Sequence, residues 1–232
     1  MIHLLTGAGS GIGAELAGVL HRRGDELVLL ARSDARAEEL AAAHPGASIL
    51  VADLADAEGL ERALAAASLP ERLDSLVHAA GVVELGPVGE LGLAAWRSQL
   101  DVNLTAPFLL TRALLPALRA ARGQVVFVNS GAGLAANASW AGYAASKFGL
   151  RALADALRSE EQDRGVRVTT VFPGRVATAM QEKVHRQEGR EYDAGAWIRP
   201  ETVADLVRHV LDLPPDATVP EVRLSPTPGR VS

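Results

Sequence analysis

Two residues that could exchange a proton with a bound molecule, Tyr143 and Lys147, lie four positions apart. The chain has only two tyrosines and two lysines, so this spacing arises by accident with an expectation of about two per cent. On a helix the two side chains would share one face. A phenol has an ordinary pKa of about 10, and a nearby ammonium group lowers it. The pair therefore predicts acid–base chemistry by Tyr143, with Lys147 as the supporting cation.

A glycine-rich segment, T-G-A-G-S-G-I-G at residues 6–13, follows the first predicted strand and opens the first predicted helix. Glycine lets the backbone approach a pyrophosphate, and the amide groups and dipole at a helix start favour negative charge. The segment predicts a dinucleotide site at Gly7, Gly9, Ser10, Gly11, Ile12 and Gly13. The alternative is a strand-to-helix turn that binds no ligand.

The end of the second predicted strand indicates which dinucleotide binds. An acidic residue about 20 positions after the glycine turn would bind a ribose 2′-hydroxyl, but Arg32 and Ser33 stand there. A guanidinium group binds a 2′-phosphate through paired, charge-assisted hydrogen bonds. The sequence therefore favours NADP(H) over NAD(H). Alternatively, Arg32 is a solvated loop residue and Asp34 binds the ribose.

Three further polar residues lie at positions where a dinucleotide-binding α/β fold contacts its ligands. Asp53 ends the third predicted strand, where it would contact the adenine or cap the helix that begins near Asp56. Ser130 follows the fifth predicted strand and would hold the substrate oxygen that faces Tyr143, or simply form a turn. Asn103 starts an otherwise apolar predicted helix and could serve only as its N-cap.

The elements that must position these residues alternate along the chain. Short β-branched or leucine-rich runs predict strands at 2–6, 26–31, 48–51, 74–79, 124–129, 166–172 and 221–224. Longer amphipathic runs between them predict helices near 12–23, 34–43, 57–67, 93–121, 141–163 and 201–212. This alternation is typical of a single Rossmann-like α/β domain over residues 1–232, a doubly wound parallel sheet of about seven strands with helices on both faces. Residues 177–199 have no clear strand period and are predicted to form a mobile substrate flap.

Composition excludes several other classes of function. The net charge of −5 offers no basic surface for nucleic acid, and the absence of cysteine excludes disulfides and thiolate chemistry. The six histidines are scattered without a metal-binding motif, so we expect no metal. No run is apolar for the roughly 18 residues that a membrane span needs, and no signal peptide is recognisable. We expect a cytoplasmic protein without a membrane partner.

These motifs, taken in order, resemble those of the short-chain dehydrogenase/reductase family over almost the whole chain. The matching positions are T-G-x-x-x-G-I-G at 6–13, Asp53-Leu54, a variant of N-N-A-G at 78–81, Asn103, Ser130, Tyr-x-x-x-Lys at 143–147, and Pro173-Gly174 followed by Thr178. One motif departs from the family pattern, because His78 and Ala79 replace two asparagines. Ala79 cannot make the side-chain hydrogen bonds of asparagine, and His78 is expected to be structural rather than an acid or base.

The resemblance implies roles for these residues. In the family the tyrosine protonates a carbonyl oxygen while the nicotinamide delivers hydride, which gives Tyr143 that role and Ser130 a hydrogen bond to the same oxygen. Lys147 would bind the nicotinamide ribose and lower the phenol pKa, and Asn103 would position a water that relays protons to Lys147. The resemblance also implies a homodimer or homotetramer built from the helices near 103–121 and 141–163. Further cofactor contacts are implied at Leu54, Ala80, Gly81, Pro173, Gly174, Val176 and Thr178, besides Asn103, Tyr143 and Lys147.

The substrate is predicted only as a class. Residues expected to form the pocket walls are mostly apolar and suit a moderately hydrophobic small-molecule carbonyl or alcohol: Val82, Val83, Leu85, the segment 134–140, Met180 and Trp197, with Glu84 and Asn137 for a polar end. A non-catalytic protein that senses NAD(P) or acts as a scaffold is the alternative, but the Ser130, Tyr143, Lys147 and Asn103 set argues against it. A sugar-nucleotide epimerase would need a larger carboxyl-terminal domain than the roughly 54 residues after Thr178 supply.

Overall fold

A computed structural model describes residues 1–227 of the chain. Its seven strands all pair in parallel and form one sheet. In chain order, β1 to β7 are Ile2–Thr6, Glu26–Ala31, Ser48–Val51, Ser75–His78, Gln124–Val128, Arg167–Pro173 and Glu221–Leu224. The predicted parallel α/β architecture is confirmed, and each strand lies within a residue of its predicted bounds.

Helices connect the strands on both faces of the sheet. In chain order, α1 to α8 are Gly11–Arg22, Asp34–Ala43, Ala57–Ala66, Leu93–Leu100, Ala106–Ala121, Ala141–Glu161, Ala179–Gln187 and Pro200–Leu211. Short 3₁₀ turns occur at Gly131–Gly133, Gln162–Arg164 and Ala194–Ala196. Within residues 1–227 no helix combines the length and the apolar character needed to span a membrane.

The strand order places the carboxyl ends of β1 and β4 at the centre of the sheet. The order is β3-β2-β1-β4-β5-β6-β7, so the chain winds in one direction from β1 to β3 and in the other from β4 to β7. Crossover loops leave a crevice where the direction reverses, and ligands of open α/β sheets bind there. The glycine turn after β1 borders this crevice.

The sheet separates two apolar cores. Successive residues of a strand point to opposite faces, and β5 shows this alternation: Val125 and Phe127 pack with residues of α5 and α6, whereas Val126 and Val128 pack with residues of α1 and α8. Because every residue of β5 is buried, the strand is held in register from both sides. This rigidity fixes the position of the residues that follow it.

The predicted single helix over 93–121 is interrupted by a π-helical turn, Asp101–Thr105, between α4 and α5. Asn103 lies inside this turn, so its prediction as the start or N-cap of a helix is wrong. A π turn holds one residue more than an α turn and often marks a functional position. The periodicity of apolar residues continues across the interruption, which is why the sequence pattern did not reveal it.

The predicted flap, residues 177–199, contains α7, which was not predicted. Thr178 caps this helix by accepting a hydrogen bond from the Gln181 amide at 3.3 Å. Only Gln181, Val184 and His185 of α7 are buried. A short helix with so few apolar residues gives too weak a hydrophobic period for sequence recognition. A parallel bridge between Val176 and Ile198 closes the base of the segment.

Candidate active site

A cavity of about 840 Å³ lies at the carboxyl edge of the sheet. It brings together residues that are distant in sequence because the parallel strands all end on this edge. Most of the predicted site residues line it: Gly7, Gly9, Ser10, Gly11, Ile12, Arg32, Asp53, Leu54, Ala80, Gly81, Ser130, Tyr143, Lys147, Pro173, Gly174, Val176 and Thr178. Three predicted residues, Gly13, Ser33 and Asn103, do not line it.

The glycine turn has the shape of a cradle for a phosphate group. Gly7 has φ +74°, and a Cβ there would lie 2.7 Å from the Ala80 amide nitrogen. A Cβ at Gly13 would collide with the Gly7 carbonyl oxygen, so Gly13 supports the turn from behind instead of touching a ligand. Ser10, the N-cap of α1, makes no side-chain cap hydrogen bond. The first amide groups of α1 therefore remain open to an anionic ligand, and these residues fit a dinucleotide pyrophosphate.

Two arginines line the cavity beside the end of β2, where the sequence predicts the adenosine ribose; we call this part the adenosine end. Arg32 is exposed and lines it as predicted. Ser33 instead caps α2 by accepting a hydrogen bond from the Arg36 amide, and Asp34 does not line the cavity. Arg36 also lines it, with its guanidinium donating to the Gly9 carbonyl oxygen. The sequence reasoning missed Arg36, although its place one helical turn after the cap could have indicated it.

Asp53 does not cap the helix after β3. Its carboxylate accepts a hydrogen bond from the Ala55 amide at 2.9 Å, and the cap of α3 is Asp56, which accepts from the Gly59 amide at 2.9 Å. Asp53 and Leu54 line the cavity. Helix capping, one of the two predicted roles of Asp53, is therefore excluded. The other, a contact with a bound ligand, stays a prediction.

Tyr143 and Lys147 share one face of α6, as their spacing predicted, and both are buried. The Lys147 Nζ lies 5.7 Å from the centre of the Tyr143 ring. It donates a hydrogen bond to the Val128 carbonyl oxygen at 3.2 Å. A strand end thus fixes the ammonium group beside the phenol.

Burial has a larger effect on these two groups than their proximity. It raises the pKa of Tyr143 to about 12, with the Ser130 hydroxyl opposing the shift by hydrogen bonding. Burial lowers the pKa of Lys147 to about 8. The predicted lowering of the phenol pKa is therefore wrong for the protein chain alone. Near pH 7 the phenol is neutral, as a proton donor must be, and Lys147 is still mostly cationic.

The end of β5 positions Ser130 through its neighbour Asn129. Asn129 is buried, accepts a hydrogen bond from the Ser130 amide at 2.8 Å and donates to the Lys147 carbonyl oxygen at 3.0 Å. The side chain therefore ties the Ser130 loop to α6. Asn129 was not predicted as a site residue, although a polar residue directly after an apolar strand could have indicated it. Ser130 Oγ also accepts from the Ala132 amide at 3.1 Å, so the predicted turn role and the position at the cavity coexist.

Asn103 supports the site without lining the cavity. Its Oδ1 accepts from the Val82 amide at 2.8 Å, and its Nδ2 donates to the Val82 carbonyl oxygen at 2.9 Å and to Ser146 Oγ at 3.0 Å. Ser146 in turn donates to the Tyr143 carbonyl oxygen at 2.7 Å. This chain of bonds joins the loop after β4 to the turn of α6 that carries Tyr143. The π turn lets Asn103 make all three contacts from the middle of a helical run.

His78 is a structural residue. It is fully buried, its Nε2 lies 3.0 Å from Thr111 Oγ1, and its ring stacks on Phe127 with centroids 4.9 Å apart. Burial, helped by the charge of Lys147, lowers the pKa of His78 to about 3. The ring is neutral throughout the physiological range and cannot act there as a proton donor.

An apolar collar surrounds the phenol. Val83, Ala132 and Val184 pack with Tyr143, and Leu85, Trp140 and Met180 extend the cluster. Trp197, predicted as a wall, does not line this cavity, because it packs on His185 and beneath the Arg175 guanidinium. Among residues 1–227 no three His, Cys, Asp or Glu side chains lie close enough together to hold a metal ion.

Comparison with known proteins gives consistent matches. The sequence model of the family described as short chain dehydrogenase matches residues 1–189. The D-threitol dehydrogenase of Mycolicibacterium smegmatis is 37% identical over 190 residues, which cover 78% of this chain and 72% of the relative. The galactitol 2-dehydrogenase (L-tagatose-forming) of Cereibacter sphaeroides is 37% identical over 190 residues, covering 79% and 74%. A putative short chain dehydrogenase of Escherichia coli, solved with NADPH, superposes with a TM-score of 0.85 at 30% identity, covering 96% of this chain and 95% of that one.

Proposed function

This chain belongs to the short-chain dehydrogenase/reductase family of oxidoreductases, and we propose that it interconverts a small-molecule carbonyl and its alcohol with NADP(H). The observation that carries the proposal is one cavity lined by the glycine turn, Arg32, Ser130, Tyr143 and Lys147. A phosphate cradle and a buried proton donor in the same cavity are the two parts that hydride transfer to a carbonyl requires.

NADP(H) is the cofactor that the adenosine end favours. Arg32 and Arg36 both line the cavity there, and Asp34, the nearest carboxylate in sequence, does not. Two guanidinium groups attract a 2′-phosphate that a carboxylate would repel. The Escherichia coli neighbour was solved with NADPH, which supports the same choice. When bound, the cofactor supplies or accepts the hydride, and residues of the chain bind and orient the substrate and exchange the proton.

Tyr143 supplies the proton. Its phenol, with a pKa of about 12, is neutral near pH 7, so in the reducing direction it can donate to the oxygen of a carbonyl. Ser130, which lines the same cavity and opposes the rise of the phenol pKa, orients that oxygen. The buried Lys147 ammonium stabilises the negative charge that forms on Tyr143 and offers hydrogen-bond donors to a cofactor ribose.

Asn103 positions these groups through the backbone. Its contacts to Val82 and Ser146 hold the cavity wall and the Tyr143 turn in one arrangement. We propose this anchoring role for Asn103 in addition to the water relay that the family resemblance implies. Residues 177–199, which contribute Met180 and Val184 to the collar, form the substrate flap.

The names of two relatives, a D-threitol and a galactitol dehydrogenase, support an alcohol or carbonyl of low molecular weight as substrate. We also propose a homodimer or homotetramer built on α5 and α6, because Phe108 and Phe148 on these helices are 43% and 42% exposed. Large aromatic side chains exposed on adjoining elements often mark an interface between subunits.

A panel of ketones, aldehydes and secondary alcohols, assayed with NADPH, NADP⁺, NADH and NAD⁺, tests the proposal. Turnover is followed by nicotinamide absorbance. We expect activity with the phosphorylated cofactors and a preference for them that Arg32→Ala lowers by about 10-fold or more, the range of a lost charge-assisted hydrogen bond. Tight NADPH binding without any turnover would indicate a sensor, and equal use of NADH would contradict the role of Arg32.

A further inference from the structure

A second cavity, of about 930 Å³, adjoins the one that contains Tyr143. We call it the outer cavity. The two cavities share three lining residues, Asn137, Trp140 and Arg175. The Trp140 ring meets the Tyr143 ring edge-on, with centroids 5.8 Å apart. The outer cavity therefore begins one side chain away from the phenol, where the part of a substrate beyond its reacting carbon would lie.

The lining of the outer cavity differs from the apolar collar. Asn137, Ser139 and Gln187 contribute neutral polar groups, and charged residues complete the wall: Glu84, Glu90, Arg175, Glu188 and Arg190. This lining corrects the prediction of a mostly apolar pocket. The apolar collar surrounds the expected position of the reacting carbon and its neighbours, and polar groups line the space beyond Trp140.

The charges of the outer cavity are largely matched by one another. Lys183 Nζ lies 2.6 Å from Glu84, and the Arg175 guanidinium lies 2.7 Å from Glu188. Arg190 is 3.9 Å from Glu188. Two lining carboxylates thus pair with three cations, of which Lys183 lies outside the lining, and the third lining carboxylate, Glu90, forms no ion pair among the described residues. An ionised substrate group would therefore meet little unopposed charge, whereas a neutral group that both donates and accepts hydrogen bonds would find partners throughout.

The Arg175–Glu188 pair leaves one donor and one acceptor unmatched. A single hydrogen bond joins Arg175 Nη2 to Glu188 Oε1. Arg175 Nη1 and Glu188 Oε2 have no hydrogen-bond partner within residues 1–227. Arg175 stacks over Trp197 at 5.4 Å, and its hydrogen bond holds the pKa of Glu188 below its ordinary value, so the Glu188 carboxylate is ionised near pH 7. These two atoms are closed to a molecule of the size of water, but both side chains line the outer cavity and are 26% and 15% exposed, so a ligand there can reach the other polar atoms of the pair.

We propose that the substrate carries a neutral, hydroxyl-bearing tail that occupies the outer cavity and hydrogen-bonds the Arg175–Glu188 pair. A hydroxyl group can accept from the guanidinium and donate to the carboxylate at the same time, and a vicinal diol can engage both without disrupting the pair. The reacting carbon would lie in the apolar collar at Tyr143. The inference rests on the proposed reductase function and names the substrate class for it.

The test uses methyl ketones that share one reacting end and differ at the other. Chains of graded length end in an alkyl group, a vicinal diol, a carboxylate or an ammonium group, and kcat and KM are measured with NADPH. At the best length we expect the diol to exceed the alkyl and both ionic ketones by at least 10-fold in kcat/KM. The gain should come mainly from a lower KM, because the tail binds away from the reacting carbon.

Two variants locate the effect. Glu188→Gln removes the acceptor charge at constant size and should lower the diol preference to less than 3-fold. Its matched control is Glu182→Gln in α7, the helix that ends directly before Glu188; Glu182 lines neither cavity. Ala138→Phe narrows the outer cavity and should abolish the diol preference, whereas Ala136→Phe in the same loop, outside both linings, should retain it.

The outcomes separate the inference from the function on which it rests. Equal or better reduction of the alkyl ketone would overturn the hydroxylated tail and leave the reductase function standing. A preference for the ammonium ketone would show that Glu90 selects a cation and would also overturn it. Absence of turnover with all four ketones, despite NADPH binding, would overturn the proposed function together with the inference.

Discussion

Replacing Lys147 with methionine should stabilise the protein while removing its activity. Lys147 is only 3% exposed, and burial lowers its pKa from 10.5 to about 8. At about 1.4 kcal/mol for each factor of ten, keeping this side chain charged near neutral pH costs about 3 kcal/mol of folding free energy. Loss of the hydrogen bond from Nζ to the Val128 carbonyl oxygen destabilises the variant by about 1 kcal/mol. Since methionine fills a similar volume, a net gain of about 2 kcal/mol follows for Lys147→Met at pH 7.

The sign of the pH dependence identifies the cause. Because the folded pKa of Lys147 lies below the unfolded value, the unfolded chain binds the extra proton, so the penalty is complete below pH 8 and vanishes as the pH rises to 10.5. Urea unfolding of wild type and variant at a series of pH values measures this. Lys183→Met is the control, because Lys183 is half-exposed in a surface ion pair with Glu84 and its loss should cost less than about 1 kcal/mol. A Lys147→Met protein no more stable than wild type at pH 7 would refute the reasoning.

Three other outcomes are expected. Gly7→Ala should lower the free energy of unfolding by at least about 1 kcal/mol, because φ is +74° and the added Cβ would lie 2.7 Å from the Ala80 nitrogen. It should also weaken NADPH binding, measured by fluorescence titration. Unchanged affinity would contradict the role of the glycine turn as a phosphate cradle. The kcat/KM for alcohol oxidation should rise from pH 6 to pH 8 because the phenol pKa is raised to about 12 and oxidation needs the phenolate, whereas reduction should not rise; an oxidation profile that is flat over this range would contradict the assignment. Phe148→Glu should lower the mass found by light scattering, while Val88→Glu, on a loop and 81% exposed, should not; a monomeric wild type would reject the oligomer.

Sequence patterns predicted the sheet because its strands carry strong local signals. Each buried strand is a short apolar run bounded by turn residues, and the predicted bounds of β1, β2 and β3 coincide with the structure. The π turn at Asn103 and helix α7 were not predicted. The first changes the backbone without changing the apolar period, and the second has few buried residues to create one.

The sequence predicted which residues form the site better than it predicted their pKa values. Residue types and spacing identified Tyr143, Lys147 and Ser130, which do line one cavity. They could not give the burial that raises one pKa and lowers the other, because burial depends on how distant segments pack. The Arg175–Glu188 pair was missed for the same reason, because only the fold brings these two side chains together.

The central claim is that Tyr143 supplies the proton to the substrate oxygen. The measurement that tests it most directly is single-turnover reduction by NADPH-loaded Tyr143→Phe protein, followed at the nicotinamide absorbance. The variant should bind NADPH as wild type does and should reduce an active carbonyl at least about 100-fold more slowly, the lower range for removing a general acid. Hydride transfer at the wild-type rate, with NADPH binding intact, would contradict the claim.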